Sequence, residues 1–246
     1  MVLSENNKYR LVIPGELLIE GKYRAGRGVY KRKSGDIYNY YSSLTGLALL
    51  RGNVVSVVPL EGGYLPLEGD VVIGIVTTVG VTSWIVDIRG PYPGILSVNN
   101  VTDRPFDPIR DDIKRILGLG DVIMARVVAF DRTRDPVLSM RGRGLKKLWN
   151  GRLVEISPVK VPRIIGKRGS MISLIKKETK SQIFVGQNGR VLISSPSLEH
   201  ELLVLKAFTK IVEESHTSGL TDRIQQFLKE EREKEKQKEE EKQQDE

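Results

Sequence analysis

The segment Gly166-Lys167-Arg168-Gly169 constrains the fold more than any other part of this sequence. On both sides of it, apolar residues recur at the i, i+3, i+4 spacing of a helix. These residues are Val161, Ile164 and Ile165 before the segment and Met171, Leu174 and Ile175 after it. Two short helices therefore meet at a tight turn, which glycine permits because it has no Cβ. The second helix points its free N–H groups and its positive dipole end at the loop surface, where two basic side chains add charge.

The elements around this loop follow the order β-α-α-β-β-α. A strand at 153–156 precedes the two helices. Strands at 183–185 and 191–193 follow them and flank the turn-favouring pair Asn188-Gly189. A last helix comes next, with Ser197 as its predicted N-cap. One face of that helix is apolar, at Leu198, Leu202, Leu205 and Val212.

The two stretches upstream are predicted to be all-β. About residues 8–66 consist of short apolar runs separated by glycine-containing turns. In residues 67–149, Gly69-Asp70 and Gly120-Asp121 each make a turn that leads into an alternating apolar strand. Five strands in a stretch of about 80 residues suit a small closed barrel of the OB type. The predicted fold class is multidomain, mainly β and then α+β.

Five tyrosines of the first stretch are interleaved with basic residues. The tyrosines are Tyr23, Tyr30, Tyr38, Tyr40 and Tyr41, and the basic neighbours are Arg24, Arg27, Lys31, Arg32 and Lys33. Such a pattern suits stacking on nucleic-acid bases. Tyrosine is also favoured in strands, and we favour a structural or protein-contact role.

The positive charge of the chain is unevenly distributed. The 246 residues contain 39 Lys/Arg and 31 Asp/Glu, a net charge of +8. Residues 229–246 contain six basic and nine acidic residues, a net charge of −3. Residues 1–228 therefore have a net charge of +11, which predicts a polyanionic partner, with solubility alone as the alternative.

Composition excludes several kinds of chemistry. The chain has no cysteine and two histidines, so disulfides, thiol catalysis and histidine-rich metal sites are excluded. We predict no catalytic residues, no metal and no cofactor. No apolar run reaches the ~18–20 residues that span a bilayer, and residues 1–10 lack the apolar core of a signal peptide. We therefore expect a cytoplasmic protein without membrane contact.

One acidic cluster leaves a catalytic alternative open. Paired carboxylates can hold Mg²⁺ ions, as in metal-dependent nucleases. Arginines and prolines interrupt the cluster, so we favour a solvated loop. The acidic residues are Asp103, Asp107, Asp111 and Asp112.

Three resemblances add to these interpretations. Residues 150–216 resemble a type I KH domain, on the element order and the Gly-x-x-Gly loop. The phrases beginning Gly69-Asp70 and Gly120-Asp121, with Trp84-Ile85-Val86-Asp87 between them, resemble the ribosomal S-one type of OB domain. Together with Ile13-Pro14-Gly15-Glu16-Leu17 and Val57-Val58-Pro59, they make about residues 8–216 similar to the KH-containing RNA-binding cap subunit of the archaeal exosome.

The resemblance implies where RNA would bind. In KH domains the loop clamps the backbone of about four nucleotides. Here that role falls to Ile165, Gly166, Lys167, Arg168 and Gly169, beside an apolar groove at Ile164, Ile165 and Val185. The barrel lacks most of the aromatic residues of its family and would hold RNA mainly by charge. Its candidate residues are Arg89, Tyr92, Arg126, Arg132 and Arg134.

The resemblance also implies an assembly. Three copies would sit on a hexameric ring of RNase-PH-like subunits and feed single-stranded RNA 3′ ends into it, as non-catalytic subunits. A zinc-ribbon sister cap subunit is a further expected partner. The implied domains are 1–66 (ring contact), 67–149 (OB barrel), 150–216 (KH) and a charged, helical or disordered tail at 217–246. A translation or transcription factor built from the same modules is the alternative.

Overall fold

The computed structural model describes residues 9–102, 104, 106–131, 133–214 and 219–231. The chain forms two compact units, which divide between Gly62 and Gly63. Strands build the described part of the first unit, and the second contains a barrel followed by an α+β domain. The predicted fold class is confirmed. None of the described helices is long and apolar enough to cross a membrane.

Seven strands build the first unit. They are β1 (Tyr9–Val12), β2 (Leu17–Gly21), β3 (Arg24–Ala25), β4 (Val29–Ser34), β5 (Ile37–Ser42), β6 (Gly46–Arg51) and β7 (Val54–Pro59). They form two sheets, in the orders β1-β6-β7-β3 and β2-β5-β4. Apolar residues of both sheets, among them Leu18 and Val57, pack in one core. Tyr40 is buried there and donates a hydrogen bond to the Tyr23 carbonyl oxygen, which is the structural role expected for these tyrosines.

A closed barrel opens the second unit. Its strands are β8 (Val71–Val79), β9 (Ser83–Asp87), β10 (Gly94–Ser97), β11 (Val122–Ala129) and β12 (Val137–Ser139). The order β12-β10-β9-β8-β11 closes through a β11–β12 pairing, and β10 runs parallel to β12. The predicted five-stranded OB architecture is therefore confirmed. Trp84 fills the barrel interior at 0% exposure, with its indole N–H donating to the Leu117 carbonyl at 2.9 Å. A short strand, β13 (Lys146–Leu148), extends the sheet beyond β11.

The α+β domain that follows has the predicted β-α-α-β-β-α order. Its elements are β14 (Arg152–Glu155), α1 (Val161–Ile165), α2 (Ser170–Thr179), β15 (Gln182–Val185), β16 (Arg190–Ser194) and α3 (Leu198–Glu213). The three strands form an antiparallel sheet in the order β14-β16-β15. Ser197 caps α3 by accepting the N–H of His200, as its sequence position predicts. This is the type I KH arrangement.

A further helix at 220–231 completes the core of the KH domain. Leu220, Ile224 and Leu228 pack into the same cluster as Ile175 and Phe208. The part of the predicted tail at 220–231 thus contributes to a folded core, while residues 232–246 lie outside the described residues.

The tip of the β15–β16 hairpin joins the KH domain to the barrel. The side chain of Asn188 is fully buried, and its amide donates to the carbonyls of Ile73 and Ile88, both at 2.8 Å. Its amide oxygen accepts the N–H of Ile73 at 3.2 Å. Gly186 allows this approach, because a Cβ there would lie 2.7 Å from the Ile73 nitrogen. The tip therefore satisfies backbone groups of the barrel as an added strand residue would.

Charged side chains surround this contact. The Arg190 guanidinium is buried and donates to the Asp87 carbonyl at 2.6 Å and to the Asp87 carboxylate at 2.5 Å. It also lies 3.2 Å from Glu155. From the barrel side, Arg89 donates to the Ile156 carbonyl at 2.6 Å and pairs with Glu155 at 3.2 Å. Two arginines from opposite domains thus share one carboxylate.

An apolar cluster forms a second part of the junction. Ile73 and Leu148 of the barrel side are buried with Leu192 of β16, and Phe184 packs against them. The back face of the KH sheet is therefore covered by barrel residues, while its other face packs on the helices.

We expect Asn188→Ala to destabilise the second unit by about 2–4 kcal/mol, because it leaves three buried backbone groups of the barrel without partners. Gln187→Ala is the matched control, because this exposed neighbour makes one side-chain hydrogen bond to the Val71 N–H. It should cost less than about 1.5 kcal/mol. Denaturant unfolding of both variants measures the difference. Equal losses would show that Asn188 does not hold the junction.

We also expect the contribution of Asp87 to be lost in acid. Burial alone raises the pKa of Asp87, but hydrogen bonds from Arg190 and from the Arg89 N–H, together with the Arg190 charge, lower it overall. A lowered pKa stabilises the fold above the unfolded pKa and is lost as pH falls through the folded value. The melting temperature of Asp87→Asn should therefore lie below wild type near neutrality and approach it below about pH 4. A constant difference across this range would contradict the assignment.

Candidate nucleic-acid interface

The Gly166–Gly169 loop has a backbone that requires glycine. Gly166 has a φ of 73° and Gly169 a φ of 80°. A Cβ on Gly166 would lie 2.7 Å from the Cβ of Met171, so no side chain fits there without a shift. Arg168, between the two glycines, also has a positive φ, of 55°. The sequence prediction of a tight turn between α1 and α2 is confirmed by this geometry.

The loop presents positive charge to solvent. Lys167 and Arg168 are exposed, and no described carboxylate forms an ion pair with either. Gly169 occupies the N-cap position of α2 and has no side chain to accept from the first turn. The N–H groups at the start of this ten-residue helix are therefore open to an external acceptor. The loop offers two cations, free N–H donors and a helix dipole to one anion.

An apolar border lies beside the loop, but it is narrower than the sequence predicts. Ile165 and Val185 are partly exposed. Ile164, which the spacing also assigns to the groove, is 0% exposed and packs in the core of the KH domain. The assignment of Ile164 to the groove is wrong, because its helical position faces the sheet and α3.

Two of the predicted barrel arginines are free at the surface. Arg126 is exposed on β11, and Arg134 is exposed in the turn after that strand. Asp131 shapes this turn by accepting hydrogen bonds from the Thr133 hydroxyl and from two backbone N–H groups. These bonds, led by that of the hydroxyl, lower the pKa of Asp131. Arg132 lies outside the described residues.

The other two barrel candidates are engaged within the protein. Arg89 has its guanidinium on Ile156 and Glu155 at the domain junction, so its role in this structure is to join the barrel to the KH domain. Tyr92 is partly buried and packs edge-on against Phe130, with ring centroids 5.2 Å apart.

The acidic cluster serves the loop that carries it. Asp111 accepts the N–H of Asp107 at 2.9 Å, and Asp112 accepts the N–H of Lys114 at 3.0 Å. Asp107 also lies 3.6 Å from Arg110. Within the described part of the chain, no three acidic or histidine side chains are grouped to hold a metal ion. Asp103 lies outside the described residues.

Local sequence patterns do not reveal the residues that join the domains. Asn188 has the sequence context of an ordinary hairpin turn, and its barrel partner Ile73 is 115 residues away. Arg190 reads as one more basic strand residue. The only local signal is a polar, glycine-flanked tip between two strongly apolar strands.

The fold and the loop together define a class of protein. An all-β unit, an OB barrel and a type I KH domain with an exposed basic loop make this a multidomain protein of nucleic-acid-binding modules. Residues 10–61 match the family described as the exosome RNA binding protein RRP4 N-terminal domain, and residues 151–199 match the KH domain.

Whole-chain similarities agree. Exosome complex component Rrp4 of Thermofilum pendens is 43% identical over 90% of this chain and 93% of its own length. The same component of Pyrococcus furiosus is 44% identical over 89% of this chain and 82% of its own length. A solved structure described as an exosome complex RNA-binding protein is 46% identical, with a TM-score of 0.63 over 70% of this chain and 98% of that chain. The chain belongs to the Rrp4 family of exosome components.

Proposed function

We propose that this chain is a non-catalytic, RNA-binding cap subunit of an exosome. It captures the 3′ ends of single-stranded RNA and feeds them to a ring of RNase-PH-like subunits for 3′-to-5′ degradation or tailing in the cytoplasm. The exposed, unpaired basic loop at Gly166–Gly169 is the observation that carries the proposal. Relatives named as exosome components supply the context.

The chemistry of the loop suits a phosphate backbone. The N–H groups at the start of α2 donate to phosphate oxygens, while Lys167 and Arg168 neutralise charge. Ile165 and Val185 supply a modest apolar border for bases. Such contacts carry little sequence information, and threading requires RNA that can move through the site.

The barrel would add further phosphate contacts. Arg126 and Arg134 are exposed and project no aromatic platform beside them, so their contribution is electrostatic. Arg132 belongs to the same proposed set by sequence. Arg89 is left out of it because its guanidinium is already bound at the junction. Tyr92 keeps a minor stacking role at most, because Phe130 occupies one side of its ring.

The outer face of the first unit supports contact with the ring. Leu11, Leu47 and Val58 lie side by side across β1, β6 and β7 on the face opposite the core. Leu11 and Ile13 are 62% and 61% exposed. An apolar sheet face open to solvent marks a protein-contact surface. We assign it to the RNase-PH-like ring.

The proposal divides the work among the implied segments. Residues 1–66 contact the ring, 67–149 and 150–216 bind RNA, and 217–246 form the charged tail. Three copies per ring would raise the local concentration of weak RNA sites. A zinc-ribbon sister subunit would share the same ring, since a chain without cysteine does not replace it. The chain has no proposed catalytic role, because the acidic loop uses its carboxylates to accept its own backbone N–H groups.

We expect the double variant Lys167→Ala/Arg168→Ala to weaken binding of single-stranded RNA about tenfold at low salt, because two phosphate contacts are lost. The slope of log K against log salt should become shallower by at most about two. Fluorescence anisotropy with a labelled oligonucleotide measures both.

The matched control removes two exposed lysines away from the loop, as Lys177→Ala/Lys229→Ala. It loses the same net charge and should keep nearly all of the affinity. Equal effects of the two double variants would mean that the loop is no specific site.

We expect Leu11→Asp to prevent co-purification with RNase-PH-like subunits, because it places a charge in the apolar face. The variant should keep its fold, since Leu11 faces solvent in the isolated chain. Val81→Asp, at a 70% exposed position on the barrel, is the control and should assemble normally. A wild-type chain that binds no such ring would favour the translation or transcription factor alternative.

A further inference from the structure

Trp149 is an aromatic side chain that the proposed function does not use. It is 67% exposed, whereas Trp84 is completely buried. Among the exposed large hydrophobic residues of the described chain, the other aromatic is Tyr30, at 47%. Tyr30 stacks on Tyr41, so Trp149 is the more open of the two rings.

The ring of Trp149 is held in place from both sides of the chain. It directly follows β13, which pairs with β11 and buries Leu148. The Lys147 ammonium lies 4.0 Å from the centroid of the indole ring and forms an ion pair with Asp121. After the tryptophan, Asn150 turns the chain with a φ of 46°. One face of the ring is thus backed by a lysine that is itself fixed, and the exposure belongs to the rest of the ring.

Trp149 stands next to the strand that borders the KH groove. The Lys146 ammonium of β13 lies 5.2 Å from the centroid of the Phe184 ring on β15. β15 is the edge strand of the KH sheet, and its next residue, Val185, is part of the apolar border beside the loop. β13 therefore continues the surface that begins at the groove.

The neighbours of Trp149 favour nucleic acid over protein. Around the ring lie Lys146, Lys147, Asn150 and Arg152, which are polar or basic. A protein-contact site gathers apolar neighbours into a patch, and no such patch surrounds this ring among the described residues. Aromatic rings interleaved with cations are the usual platform for single-stranded nucleic acid.

We propose that single-stranded RNA held at the Gly166–Gly169 loop continues past β15 onto β13, where one base stacks on the open face of Trp149 and Lys146 contacts a phosphate. The inference rests on the proposed RNA binding and extends it across the junction between the two domains. The site takes any base, because each has a π face and no hydrogen-bond donor or acceptor is aimed at a base edge there.

Intrinsic fluorescence of the full chain tests this directly. The protein has two tryptophans, and Trp84 is inaccessible in the barrel. Titration with an unlabelled oligouridine of about 15 nucleotides should quench the emission, since stacking brings a base onto Trp149. Trp149→Phe should lose the quenching and keep affinity close to wild type, because phenylalanine still stacks.

Affinity measurements separate stacking from mere bulk. Trp149→Ala and Trp149→Leu should both weaken RNA binding by about five- to a hundredfold, because neither provides an aromatic face. Tyr30→Ala, the matched exposed aromatic in the first unit, should bind as wild type does.

The outcomes distinguish this inference from the proposed function. RNA binding that depends on Lys167 and Arg168, but without quenching and without an effect of Trp149→Ala, would overturn the Trp149 site alone. A wild-type chain that binds no RNA would overturn both. Loss of co-purifying protein partners in Trp149→Ala, with RNA affinity unchanged, would replace the RNA site by a protein contact.

Discussion

The buried amide of Asn188 fixes the geometry on which both nucleic-acid modules depend. Its three hydrogen bonds satisfy backbone groups of Ile73 and Ile88 in the barrel, where no strand is available to do so. Arg190 and Arg89 complete the junction from opposite sides, meeting at Glu155. A buried polar group without its partner costs more than a hydrogen bond contributes, so this contact tolerates little displacement. Barrel and KH domain are consequently held in one arrangement.

That arrangement decides which surfaces of the KH domain are available. The hairpin tip and the back of the sheet are spent on the barrel, through Asn188 and the cluster around Leu192. The Gly166–Gly169 loop lies at the other side of the domain, between helices that do not meet the barrel cluster, and it keeps its charge in solvent. β13 reaches from the barrel to Phe184, so the surface next to β15 becomes shared between the two modules.

Charge is distributed in keeping with a sequence-tolerant role. The basic groups that remain unpaired, Lys167, Arg168, Arg126 and Arg134, are exposed, whereas Arg89 and Arg190 have carboxylate and carbonyl partners. Exposed cations bind phosphate with modest, salt-sensitive energy and release it readily. The carboxylates of the 103–112 segment are directed inward to their own loop where it is described. The chain therefore presents cations outward and keeps much of its negative charge in local structure.

Local periodicity was sufficient for much of this protein. The sequence by itself determined the element order, the five barrel strands, the Ser197 cap and the glycine loop, because helical and strand spacing and glycine's freedom at positive φ act over a few residues. Tertiary structure alone decided that Ile164 lies in the core, that Arg89 serves the junction and that Trp149 stays in solvent. It also turned Asn188 from a turn residue into the main contact between domains. These outcomes rest on pairs of residues up to 115 positions apart, and short-range spacing contains no information about which distant backbone a side chain will meet.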